Sequence, residues 1–231
     1  MKLIKNIYIT LTLIALTSCG ELFNFEEAKP APDGVALSHH EVDVLVGDSI
    51  ILDTYIKPDT VDVTYHWEVY DDVDAVNLIG RRVYANKPGR AKVVVEATGY
   101  DAENNKVLFT DSCFVNVFEW RECDPAEYLY ETVVYASLTI DNELMNDSMR
   151  DTRLVAIVDG EVRGEAVMRE AYGIPYLEMR IAAAWPGESA QIQCYHRVGH
   201  ERFVFETLPL HGGTYGTLSK LKTYKTTGRK Q

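Results

Sequence analysis

Hydrophobic and polar residues alternate with a period of two along most of the chain after about residue 40. Glu41 to Val46, EVDVLV, places Val42, Val44 and Val46 on one face. Gly47-Asp48 reads as a turn, and Ile50, Leu52, Thr54 and Ile56 then alternate until Pro58 ends the run. Thr64 to Tyr70 sets Tyr65, Trp67 and Val69 opposite Thr64, His66, Glu68 and Tyr70. A short strand at Arg82 to Ala85 leads through Lys87-Pro88-Gly89 to Ala91, Val93, Val95 and Ala97 on one face, and Lys106 to Phe118 forms a longer strand. Such alternation is the pattern of strands with one face buried, and short strands separated by regular turns predict a β-sandwich.

The second half continues in the same manner. ETVVYASLTI lies within Tyr128 to Ile140, a polar turn-rich stretch covers Asp141 to Asp151, and Leu154 to Val158 is short and apolar. Asp159-Gly160 suits a two-residue hairpin turn, because both positions tolerate positive φ. Glu161 to Met168, Tyr176 to Ala183, Gln191 to His196 and Arg202 to Glu206 read as further strands, with Trp185-Pro186-Gly187 as a turn and His211-Gly212-Gly213 as a loop before a last short strand. No segment demands a helix. The predicted fold class is all-β: two tandem β-sandwich domains at 33–118 and 127–231, joined by a linker at 119–126, the second ending in a short basic tail.

The N-terminus carries a different signal. Lys2 and Lys5 precede an apolar run from Ile7 to Leu16, too short to cross a bilayer but of the length of a secretory h-region. Leu16-Thr17-Ser18-Cys19 follows and resembles a bacterial lipobox. The resemblance implies that residues 1–18 are a lipoprotein signal peptide, that Cys19 is acylated, and that the acyl chains anchor the protein in outer-membrane lipid. Residues 19–32 then form a tether in which Glu21, Glu26 and Glu27 loosely resemble the acidic export signals of Bacteroidetes surface lipoproteins. The localisation this implies is the outer membrane, with cell-surface display favoured over the periplasmic face.

Charge narrows the partners. The formal net charge is −12, and losing Lys2 and Lys5 with the leader makes it −14. Phosphate repels such a surface, which argues against nucleic acid as a partner. Of four cysteines, Cys113 shares a strand face with Val115 and Val117, and Cys194 with Ile192, so both read as small buried apolar residues. An oxidising envelope permits a Cys123–Cys194 bridge, but the strand positions favour free thiols.

Two family resemblances follow from longer stretches. VDVLVGDSIILDTYIKP, HWEV, DAVNLIGRRVYANKPGRAKVVVEA and DSCFVNV together resemble the bacterial immunoglobulin-like domain of group 2, which implies a sandwich with Trp67 buried in it. The stretch Gly99 to Lys106, GYDAENNK, is longer and more polar than that family's turn. RLVAIVDGEVRGEAVM, the strands after it and HGGTYGT resemble a domain common in secreted and surface proteins of Bacteroidetes, built on an apolar strand, an Asp-Gly turn, an acidic residue and Arg-Gly. That resemblance implies location and fold, not chemistry.

Candidate chemistry is sparse. Asp159, Glu161 and Arg163 alternate along one strand and suit either a ligand or a structural ion pair. Trp185, before a Pro-Gly turn, is the aromatic best placed to stack on a sugar, ahead of Tyr172, Tyr176, Tyr195 and Tyr215. His196 and His200 flank a turn rather than share a metal, and Asp71, Asp72 and Asp74 lack the glycine and distal glutamate of a calcium loop. No GxSxG, HExxH or phosphate loop occurs, so neither an enzyme, a cofactor nor a metal is expected. The predicted function is a non-catalytic binding or adhesion module for a glycan or for a host or envelope protein; the alternative is a structural spacer or accessory subunit of an outer-membrane assembly.

Overall fold

The computed structural model describes residues 32–59, 61–101, 103–145 and 151–226. Cys19, the signal peptide and all of the tether except Pro32 lie outside the described residues. The fold is all-β, and among the described residues there are two single-turn 3-10 segments, at Val73–Ala75 and Pro125–Glu127.

Nine strands make up the N-terminal part: β1 (Gly34–Leu37), β2 (Glu41–Leu45), β3 (Ser49–Ile51), β4 (Thr54–Lys57), β5 (Thr64–Asp71), β6 (Val76–Ile79), β7 (Arg82–Ala85), β8 (Gly89–Tyr100) and β9 (Lys106–Phe118). A four-stranded sheet in the order β2-β9-β8-β5 faces a three-stranded sheet, β3-β7-β6, while β1 and β4 pair beside them. Ala91, Val93, Val95, Cys113 and Val115 of the long β8–β9 hairpin are fully buried against Ile50, Val76 and Val83 of the facing sheet and Leu52 just beyond it. The alternation therefore names the inward face correctly. It does not show that the run from Ile50 to Ile56 is broken. Leu52 N–H donates to Arg81 O and Ser38 N–H to Asp53 O, so the chain leaves one sheet for another at residues 52–53. The polar stretch after Gly99 is shorter as a loop than its composition suggests, because both strands run into it as far as Tyr100 and Lys106.

Ten strands follow: β10 (Arg121–Glu122), β11 (Tyr130–Ile140), β12 (Glu143–Leu144), β13 (Thr152–Val158), β14 (Glu161–Ala171), β15 (Ile174–Ala183), β16 (Ser189–His196), β17 (Glu201–Pro209), β18 (Thr214–Tyr215) and β19 (Lys222–Thr226). They form one continuous sheet in the order β12-β11-β15-β14-β13-β16-β17, with β10 on β14 and with β18 and β19 on β11. β14 belongs to both arms: residues 161–165 pair with β13 and residues 166–171 with β15. The sheet closes over itself as a sandwich, burying Val134, Leu138, Leu154, Leu177, Met179, Ile181 and Ile192 in one core.

A third apolar cluster joins the two parts. Phe118, Trp120, Val155, Val162 and Tyr195 are buried together, with Leu45 and Ile157 packed on them. The Phe118 ring meets Tyr195 edge-on at 5.1 Å and Trp120 at 5.3 Å. The segment 119–126, expected as a linker, is thus bound at its start: Trp120 is 7% exposed and its indole N–H donates to Gln193 Oε1 at 3.1 Å. β10 then joins β14 in parallel. Polar contacts flank the cluster. Asp43 N–H donates to His200 O at 2.7 Å, Arg202 N–H donates to Asp43 Oδ2 at 3.1 Å, and Arg197 grips Asp48 through two bonds at 3.0 and 3.1 Å.

Candidate functional site

The residues DGEVRG form a packed corner. Asp159 and Gly160 have φ of 50° and 80°, the two positive values of the tight hairpin turn expected there. Ala156 pairs with Gly164 but the next residue, Ile157, pairs with Val162, so Arg163 is the extra residue of a β-bulge. A side chain at position 164 would stand 2.5 Å from Arg180 O, which restricts that position to glycine where β15 passes.

The bulge turns Arg163 inward, where it is 6% exposed. Its Nε donates to Glu161 Oε2 at 3.0 Å, and its guanidinium lies 3.7 Å from the centre of the Tyr128 ring. The Tyr128 hydroxyl donates to the same Glu161 oxygen at 3.0 Å. These two bonds hold the Glu161 carboxyl below its ordinary range. Arg163 Nη1 is buried without a hydrogen-bond partner among the described residues, and the Tyr128 ring offsets part of that cost. Asp159 stands apart from the pair: its backbone carbonyl accepts from Arg121 Nη2 at 2.7 Å. The structure therefore brings Glu161 and Arg163 together with Tyr128 and leaves Asp159 in the turn.

Trp185 sits elsewhere, at the far end of β15. Tyr130 opens β11 opposite Ala183, two residues before Trp185, so this end of the sheet carries Leu129, Tyr130 and Trp185, which are 89%, 41% and 58% exposed. The turn bearing Trp185 is held firmly. The buried Glu188 carboxylate accepts from Ala184 N–H at 2.6 Å, Gly187 N–H donates to Leu210 O at 2.6 Å, and Leu210 N–H donates back to Glu188 O at 2.6 Å. The neighbouring loop is tied to the start of β11 by Gly212 N–H on Thr132 Oγ1 at 3.2 Å. The His211 ring lies tilted against Tyr215 at 5.1 Å.

The remaining aromatics divide. Tyr195 is buried in the cluster between the two parts, Tyr176 packs edge-on against Tyr135 at 5.8 Å, and Tyr172 is 98% exposed at a hairpin tip. Trp67, expected in the core, is only half buried, because β5 lies at the sheet margin.

His196 and His200 point to different partners, Thr152 Oγ1 at 3.0 Å and the Tyr195 hydroxyl at 3.4 Å. Burial, with positive or titratable neighbours His39, Arg197 and His196, pushes His200 down to about 4 against the opposing pull of Asp48. Asp74 pairs with Lys87 at 3.1 Å. Among the described residues no three His, Cys, Asp or Glu side chains are grouped to hold a metal ion.

Cys113, Cys123 and Cys194 are free thiols. Burial pushes Cys113 and Cys194 up to about 12, and Cys123 donates to Val162 O at 2.9 Å. Sequence reasoning passed over Trp120 and Asp43, and weighed His200 only as a metal ligand. For Trp120 a signal was present: Phe118 and Trp120 stand two apart, on the parity opposite Cys113, Val115 and Val117, and carry large aromatics into the segment expected as a linker.

No family model matches the chain, and no curated protein matches it. Solved structures give distant likenesses. One is the Bacteroides ovatus mixed-linkage glucan utilization locus SGBP-B in complex with a mixed-linkage heptasaccharide, at 13% identity over 80% of this chain and 48% of that one, with a TM-score of 0.24. Another is domains 5–6 of the S-layer protein SbsC, at 11% identity over 81% of this chain and 100% of that one, with a TM-score of 0.28. A third is the human desmocollin-1 ectodomain, at 11% identity over 83% of this chain and 38% of that one, with a TM-score of 0.24. The chain spans about half the length of the first of these. At such identities and scores the likenesses carry no argument, and the all-β assignment stands on the chain's own strands.

Proposed function

We propose that the chain is a non-catalytic binding module, tethered to the outer membrane through acylated Cys19 and displayed at the cell surface, which takes a glycan against Trp185. The observation that carries this reading is a largely exposed indole on a turn that buried Glu188 holds in place. An exposed Trp contributes nothing to a core, whereas a rigid aromatic face binds a sugar ring with little ordering cost. Leu129 and Tyr130 are also exposed at the end of β11 that pairs with Ala183.

The test is a glycan array probed with the full chain, followed by calorimetry on any ligand found. Trp185→Ala is expected to weaken binding at least about tenfold while leaving the melting temperature unchanged. Binding that survives Trp185→Ala, or arrays without a single retained glycan, would remove the reading. A second reading, a spacer within an envelope assembly, draws on the packed cluster at Trp120, which fixes the two parts against each other. It predicts envelope partners after crosslinking in cells, and no soluble ligand.

A further inference from the structure

β5 is the last strand of its sheet. Thr64 through Asp71 pair with Thr98 through Ala91 of β8 without a register shift, and no other described strand pairs with β5. Edge strands are ordinarily guarded by brevity, proline, lysine or a bulge, because an open row of N–H and C=O groups recruits another strand. TYHWEVYD has no proline, lysine or bulge over its eight residues, and its only carboxylates are Glu68 and the terminal Asp71. Its inner face is also incompletely covered: Trp67 and Val69 are half buried against the core, and Tyr65 remains 37% exposed.

The strand is complementary to itself about Trp67. Set antiparallel to a second copy with the two Trp67 residues opposed, it places His66 against Glu68, Tyr65 against Val69 and Thr64 against Tyr70. Opposed residues then lie on the same face of the joined sheet, as strand pairing requires. The outer face gains a His66–Glu68 pair able to hydrogen-bond on each side of the axis, and the inner face gains aromatic and β-branched pairs, combinations that stabilise neighbouring strands. The next registers of the same parity are worse. One opposes Glu68 to Glu68, and the other opposes His66 to His66 over a shorter overlap. Asp71, with φ of 65°, turns the chain out of the strand just beyond Tyr70, the residue that meets Thr64.

We propose that two copies of this chain associate through β5, antiparallel about a two-fold axis at Trp67, so that their four-stranded sheets become one eight-stranded sheet. Within one chain His66 Nε2 and Glu68 Oε1 lie 3.1 Å apart. In the dimer each exchanges this neighbour for its counterpart across the axis. This inference is independent of the ligand at Trp185, which lies in the other part of the chain.

The experiment is sedimentation equilibrium of the full chain in density-matched detergent, from about 1 to about 200 µM. The wild type is expected to form a dimer. Glu68→Lys and His66→Glu, both at exposed positions, are each expected to weaken it at least about fivefold: His66→Glu opposes two carboxylates twice per dimer, and Glu68→Lys removes both acceptors that face His66. An equimolar mixture of the two variants is expected to recover association, because every introduced charge then faces its complement. A wild type that stays monomeric throughout, variants that dimerise as the wild type does, or a mixture no tighter than either variant alone would each overturn the proposal.

Discussion

Replacing Trp120 by alanine tests whether the aromatic cluster couples the two parts of the molecule. The indole is 7% exposed, packs edge-on to Phe118 at 5.3 Å and to Tyr195 at 6.4 Å, and lies beneath the Arg153 guanidinium at 5.3 Å. Removing a ring of this size from a site that cannot collapse costs about 3–5 kcal/mol. Phe118 and Tyr195 are themselves buried and come from β9 and β16, so the surrounding strands would have to move to fill the void. Trp120→Phe separates packing from polarity. It keeps most of the apolar area but leaves Gln193 Oε1, in an 8% exposed side chain, without its donor, at a cost of about 1–3 kcal/mol.

The assay is urea unfolding followed by far-ultraviolet circular dichroism and by tryptophan fluorescence. The wild type is expected to lose both signals in one transition, because the cluster belongs to both parts. Trp120→Ala is expected to lower the midpoint and to separate the two signals as the parts unfold independently. Trp185→Ala serves as the control and is expected to change stability by no more than about 0.5 kcal/mol, since its ring is largely in solvent. A loss below about 1 kcal/mol for Trp120→Ala, with the two probes still coincident, would refute the reasoning.

Two further outcomes follow from groups near the cluster and in the cores. His200 has a folded-state value of about 4 against 6.5 for the free side chain, so the unfolded chain takes up its proton first. Stability is therefore complete above the free value and is lost as pH falls from it towards the folded one. Discounted for partial exposure, the loss is about 1–2 kcal/mol. His200→Asn, which tolerates the positive φ of 48°, is expected to flatten that slope; an unchanged slope in urea midpoints between these pH values would contradict it. Thiol labelling of the native chain is expected to modify Cys123 slowly and to spare Cys113 and Cys194, both 0% exposed, until the protein unfolds. Native labelling of either buried thiol by mass spectrometry would contradict the packing described here.

How much of this was legible in the chain differs element by element. The inward set Ala91, Val93, Val95 and Ala97 is fully buried as its alternation required, and Cys113 and Cys194 occupy the apolar faces their neighbours implied. Asp159 and Gly160 adopt the turn their chemistry favours. These are local properties: a period of two records which side of a strand avoids water, and turn residues record which φ is affordable.

Tertiary structure alone decided the rest. Alternation continues through Ile50 to Ile56 whether the strand stays in one sheet or crosses to another, so only the bond from Leu52 to Arg81 marks the break. The same alternation makes Trp67 inward, but its half-burial depends on β5 having no neighbour beyond it. Glu161 and Arg163 were visible as a pair, whereas the bulge that sends Arg163 beneath Tyr128 arises from how β13 and β14 align. Trp120 became part of a core because two separate sheets meet there. The pattern along a strand reports which face turns from solvent; what that face then meets depends on residues far away in the chain, and no local period encodes it.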